Sequence, residues 1–195
     1  MVDRFNDWLI RSYLSSCGML SEFDKERIKY SMNLLLNEAE KIMLLILLFG
    51  VTGQLKVFIF SFAVLMSIRA FVGGIHFSTR CRCFSFTLLF FSTAMVLSNF
   101  VLINPQIKLV VYGLSLINTM LCAPLPSKHR VLILERGRDI LRKRSVIMIL
   151  IWTVASVMLS EKLSNVIVWT MAIQQMELLY YKIFLSRKEE MSHEN

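Results

Sequence analysis

Apolar stretches recur along the chain at Leu55 to Val72, Cys83 to Ile103, Ile107 to Ala123, Ser145 to Ser160 and Leu163 to Leu185, parted by short polar joints. An α-helix needs about 20 residues to cross roughly 30 Å of hydrocarbon, and there each backbone N–H and C=O must find its partner within the segment. Hydrophobic residues make up 55% of the 195 positions against 18% charged, with a mean hydropathy of +0.57, which excludes an ordinary soluble domain. The expected fold is all-α: a polytopic membrane helical bundle of about six membrane helices plus an N-terminal amphipathic helix. That length leaves no room for a sizeable soluble domain, so a single integral-membrane domain over 1–195 is expected.

No cleavable signal peptide is expected, because Asp3, Arg4, Asp7 and Arg11 interrupt any apolar core near the start. Phe5, Trp8, Leu9 and Ser12 or Tyr13 fall along one side at helical spacing. Residues 1–20 therefore read as an interfacial amphipathic helix, with an ordinary cytosolic helix packed on the protein as the alternative. Gly18 and Ser21 end that helix and cap the next. From Asp24 a second helix starts polar and turns apolar, with only Ile42 to Thr52 free of charge, and it closes at Gly53-Gln54. Glu38 then lies near membrane depth, where ionisable groups are costly and often functional. A pairing with Lys41 or a loop arginine is the alternative.

Charge assigns the sides. With the N-terminus in the cytoplasm, the outer turns hold only Lys56, Lys108 and Lys162, which leaves 19 of the 22 Lys and Arg inside. Both termini, the 73–82 loop and the basic 124–144 loop then face the cytosol. Seven cations lie between Ser127 and Arg144: Lys128, Arg130, Arg136, Arg138, Arg142, Lys143 and Arg144. They serve either as a positive-inside anchor on anionic lipid or as a docking surface for an acidic ligand. Nucleic acid is not an expected partner; the lipid bilayer is. Cys17, Cys81, Cys83 and Cys122 all map to the inner side, where thiols stay reduced, so no disulfide framework is expected. Cys81, Cys83 and His76 lack an obvious fourth donor and the spacing of a zinc knuckle, so neither a metal nor another cofactor is expected.

One cluster carries chemistry. In RAFVGGIHFSTRCRC, Arg69, His76 and Cys83 stand seven residues apart, on one face if the stretch is largely helical. Gly73-Gly74 would permit a bend or a close backbone approach between them. A neutral imidazole can take a thiol proton, and Arg69, Arg80 and Arg82 favour the resulting anion. His76 and Cys83 are thus a candidate base and nucleophile at the mouth of a membrane segment. Arg69 either orients a substrate carboxylate, holds an oxyanion or fixes the loop. Glu38, Glu135 and Glu177 are the candidates for a third residue orienting His76.

Arg69-xxx-Gly73-Gly74-x-His76-x6-Cys83 between two apolar spans resembles the core of the accessory gene regulator B (AgrB) peptidases. The likeness extends to the amphipathic start, the helix before the first span, and Cys122-Ala123-Pro124-Leu125-Pro126 followed by a basic loop. The resemblance implies a cytosol-facing membrane cysteine endopeptidase. Its partner would be an AgrD-like quorum-sensing propeptide, which it cleaves and cyclises to a thiolactone or lactone through a Cys thioester. It implies Cys83 as nucleophile, His76 as base and Arg69 as a retained arginine; a homodimer follows from the resemblance alone. The rival class is a non-enzymatic membrane transporter or partner-binding scaffold, in which Gln174, Gln175 and Glu177 line a polar path or join helices by hydrogen bonds.

Overall fold

The structure, a computed structural model, describes residues 12, 21–75, 79–125 and 135–185. Among them run six α-helices and no strand: α1 Glu22–Val51, α2 Leu55–Val72, α3 Arg80–Phe100, α4 Pro105–Cys122, α5 Glu135–Met158 and α6 Glu161–Tyr180. A π-helical turn at Tyr181–Leu185 continues α6. The all-α class is as expected. By length and composition α2 and α3 can each cross a membrane, two of the six spans expected. The amphipathic helix expected over 1–20 lies outside the described residues, Ser12 excepted. By its contacts the chain divides into two compact units, Met1–Gly53 and Gln54–Asn195.

In the first unit, Ser21 caps α1 as expected, its Oγ accepting the Asp24 N–H at 3.2 Å. The helix runs unbroken through Glu38, Glu40 and Lys41, because Lys41 Nζ donates to the Glu38 carboxylate one turn earlier. Past that pair the helix turns Met43, Leu44, Leu47 and Leu48 outward. Gly53, at φ +69°, makes the turn that closes it.

In the second unit, local chemistry again sets most boundaries. Asn104 accepts the Gln106 N–H at 3.1 Å and Pro105 opens α4, where a missing N–H costs nothing. Two boundaries differ from expectation. α3 begins at Arg80 after Thr79, so Cys83 sits inside its first turns, with its N–H bonded to Thr79 O at 3.1 Å. The expected basic loop over 124–144 is helical from Glu135 onward. Leu141, Arg142 and Lys143 are good helix formers, and Asp139 pairs with Arg142 at 3.6 Å across one turn. Gly137 alone opposes them.

The core is arranged around α6, which packs against α2, α3, α4 and α5. Ser164 to Val168, Thr170, Met171, Gln174, Gln175, Glu177 and Leu178 are all buried, so α6 meets neighbours on nearly every side. Ile167, Met171 and Leu178 join Val64, Ile68 and Val72 of α2, Tyr112 of α4 and Ile149 of α5 in one apolar cluster. Phe58 of α2 meets Phe91 of α3 edge-on, their centroids 4.9 Å apart. Ile59, Met66, Leu89, Val96, Leu109, Leu114 and Val154 point outward. In water such a belt would drive association; hydrocarbon solvates it. α2 and α6 run in the same direction, since Ser61 meets Thr170 at 2.8 Å and, two turns on, Arg69 meets Glu177 at 2.6 Å.

Candidate functional site

Arg69 is the last basic residue of α2, and the helix stops four residues later because Gly73 turns to φ +87°. An L side chain rarely adopts that conformation. Gly74 answers a different need. A Cβ there would lie 1.8 Å from Arg69 Nε, so only glycine lets the guanidinium lie against the backbone. The bend and close approach expected of Gly73-Gly74 are both present. The expectation of one helical face through Arg69, His76 and Cys83 does not hold, because residues 73–75 leave the helix and Cys83 belongs to α3. His76 itself lies outside the described residues.

A side chain of α6 reaches Arg69 and the turn that follows it. Glu177 Oε1 accepts Arg69 Nη2 at 2.6 Å and the Ile75 N–H at 2.8 Å, while Arg69 Nη2 also approaches Ile75 O at 3.4 Å. The side chains are 19% (Arg69) and 2% (Glu177) exposed. This ion pair, its carboxylate buried and its guanidinium half-buried, is closed onto a turn of backbone. A second linker joins it: Leu125 N–H donates to Val72 O at 2.9 Å, and Arg142 Nε of α5 donates to Ala123 O at 3.0 Å. The Gly73–Ile75 and Ala123–Leu125 linkers are thus held side by side at one end of the second unit, where α2, α4, α5 and α6 meet.

Cys83 approaches from α3. At helical spacing it is followed by Thr87, Phe90, Ala94 and Ser98, of which the last three are buried, so it lies on the inward face. Thr87 Oγ1 donates back to Cys83 O at 2.9 Å. Cys83 is half-buried, whereas Cys81, two positions earlier, is exposed with Arg80 and Arg82. The two thiols occupy opposite sides of the helix start. Backbone N–H groups of a first turn favour an anion nearby. None of Cys81, Cys83 and Cys122 is in a disulfide.

The remaining candidates disperse. Glu38 belongs to the first unit and pairs with Lys41. Lys128 and Arg130 lie outside the described residues; Arg136 and Glu135 fall in the first turn of α5. Arg138, Lys143 and Arg144 are exposed, as a docking surface requires. Arg142 is occupied at Ala123 O and beside Asp139. Gln175, weighed as part of a polar path, exchanges hydrogen bonds with Asn118 at 2.9 Å and Thr119 at 3.1 Å of α4 and so joins helices. Glu177 is the residue whose contacts sequence left open among three candidates. Its signal was an isolated carboxylate in an apolar helix, which in a membrane demands a cation.

An all-helical membrane protein, with a thiol on the inward face of one helix and an ion-paired turn at the end of the helix before it, is the class these features define. The chain belongs to the accessory gene regulator B family, whose model matches residues 4–178. It is similar to a putative AgrB-like protein of Clostridium beijerinckii, 26% identical over 166 residues, covering 85% of this chain and 81% of that one. No solved structure matches. Family membership gives the chain a role in the accessory gene regulator quorum-sensing system.

Proposed function

We propose that this protein is a membrane cysteine endopeptidase that removes the C-terminal tail of an AgrD-like propeptide and cyclises the remainder. The observation that carries the reading is Cys83 on the inward face at the start of α3, seven residues after His76 and set apart from the exposed Cys81. His76 accepts the Cys83 proton, and the thiolate attacks the carbonyl carbon preceding the propeptide tail. The C–N bond breaks, the departing amine takes the proton from His76, and a thioester joins the propeptide to Cys83. An internal Cys or Ser of the propeptide then attacks that thioester, forming the thiolactone or lactone and returning the Cys83 thiol. Exchange of thioester for thiolactone is near energy-neutral, so that step needs no ATP. A site at the membrane boundary keeps water from the intermediate.

The chain crosses a bacterial cell membrane several times, with both termini and the site in the cytoplasm. The sorting of charge supports this sidedness. Lys56 opens α2, Lys162 opens α6 and Lys108 reaches Ser164 at 3.0 Å, all at one end of the second unit, while Arg69 and Arg142 lie at the other. The exposed cations of α5 at that inner end, Arg138, Lys143 and Arg144, steer an acidic tail to the site.

Co-expression with an AgrD-like precursor, followed by mass spectrometry of the product, tests the reading. Cys83→Ala abolishes processing, His76→Ala slows it by about 100- to 10,000-fold, and Cys81→Ala leaves it unchanged. Full processing by the Cys83→Ala protein would sink the proposal. A transporter would instead keep its substrate flux in that variant.

A further inference from the structure

Glu177 and Arg69 are more than a joint between helices. Ser61 with Thr170, and Ile68 and Val72 with Leu178, already join α2 to α6. An apolar pair would extend that seam without the desolvation that a buried ion pair incurs, so stability alone gives a weak reason for these charges. Their geometry supplies a better one. Glu177 Oε1 is shared between Arg69 and the N–H of Ile75, the residue that directly precedes His76. A carboxylate only accepts, so it grips the linker by its donor, while Arg69 reaches the carbonyl of the same residue at 3.4 Å. Gly74 is packed on the guanidinium, and Val72 O is held by Leu125 N–H. The four residues ahead of His76 are thus restrained in succession. Downstream, Thr79 opens α3 without a side-chain cap.

We propose that the Arg69–Glu177 pair serves to position His76: by fixing the backbone of Ile75 it sets the point from which the chain enters the base. Glu177 and Arg69 are positioning residues and touch no reacting atom. The inference rests on the reading of His76 as base and Cys83 as nucleophile.

The test uses the full chain in detergent with Cys17, Cys81 and Cys122 replaced by Ser, so that iodoacetamide reports on Cys83 alone. Its alkylation rate is followed against pH. His76→Ala is expected to lower the rate near neutral pH by about tenfold or more and move the profile toward that of an ordinary thiol. Glu177→Ala reproduces most of that loss, and in the His76→Ala background it adds nothing. Gly74→Ala keeps both charges but drives a methyl group into Arg69, and it gives the same loss with the same dependence on His76. It carries the test if Glu177→Ala fails to fold. If either substitution keeps its full effect when His76 is absent, or leaves the profile native, the pair does not act through His76 and the inference falls while the peptidase reading stands. If His76→Ala itself leaves the profile unchanged, the base–nucleophile pairing falls and takes this inference with it.

Discussion

The two ends of the second unit solve one problem in two ways. At each end a non-helical linker is gripped by a side chain of α6. Away from the site, Asn165 Oδ1 accepts the Ile103 N–H at 3.5 Å, Asn165 Nδ2 donates to Val101 O at 3.4 Å, and Trp169 Nε1 reaches the same carbonyl at 3.2 Å. At the site, Glu177 accepts from Ile75 and Arg69 supplies the donor. A neutral amide carries donor and acceptor together and needs no counter-charge. A carboxylate must import its partner, here from a helix 108 residues away in sequence. Of these two α6 clamps, the carboxylate is the one whose linker leads to His76. A clamp that merely closes a loop can be neutral; one that must hold a direction gains from the shorter, charge-assisted bond.

Removing one partner from each clamp is the strongest way to break that comparison. Glu177→Ala leaves a half-buried guanidinium without its counter-ion and is expected to cost up to about 3–5 kcal/mol, against about 1–3 kcal/mol for Asn165→Ala. Denaturation midpoints of the two proteins in detergent measure the difference. Equal losses would remove any special weight from the charged clamp.

Glycine substitutions sharpen the same contrast at smaller magnitude. Gly74→Ala forces Arg69 to move and should cost about 1–3 kcal/mol. Gly113→Ala, inside α4 with nothing within 4 Å of the new Cβ, should gain about 0.5–1 kcal/mol from helix propensity. A destabilised Gly113→Ala protein would point to a contact that α4 makes with another molecule.

The smallest effects belong to surface charge. Neutralising Arg138 and Lys143 to Gln should weaken precursor binding by about 1 kcal/mol or less per charge and flatten its salt dependence, whereas Lys162→Gln at the opposite end should change neither. Titrations of a labelled acidic-tailed precursor at several salt concentrations separate the two ends. An equal response from Lys162→Gln would undo the assignment of docking to the inner end.

Much of this architecture was legible in the chain. Ser21, Gly53 and Asn104-Pro105 mark helix ends through local hydrogen bonding and fixed torsions, so they can be read one residue at a time. The α3 boundary was missed by three residues because apolar content begins at Cys83, while the helix is already built from Arg80 by backbone bonds indifferent to polarity. The basic segment is helix rather than loop from Glu135 onward for the same reason: charge marks exposure, and an exposed helix is still a helix. Within the site, Gly73-Gly74 announced a close approach but not what approached.

Helix extents, the apolar belt, the uneven charge of the two ends and the pairing of His76 with Cys83 as candidates all came from local pattern, since each depends on neighbours a few residues apart or on composition. Packing decided the rest. That Cys83 faces inward and Cys81 outward follows from which side of α3 meets α6. That Arg69 serves the linker rather than the lipid boundary follows from Glu177 arriving beside it on a parallel helix. No spacing in the chain encodes that meeting, because an ion pair needs only that two helices lie in register, and register is set by the side chains filling the space between them.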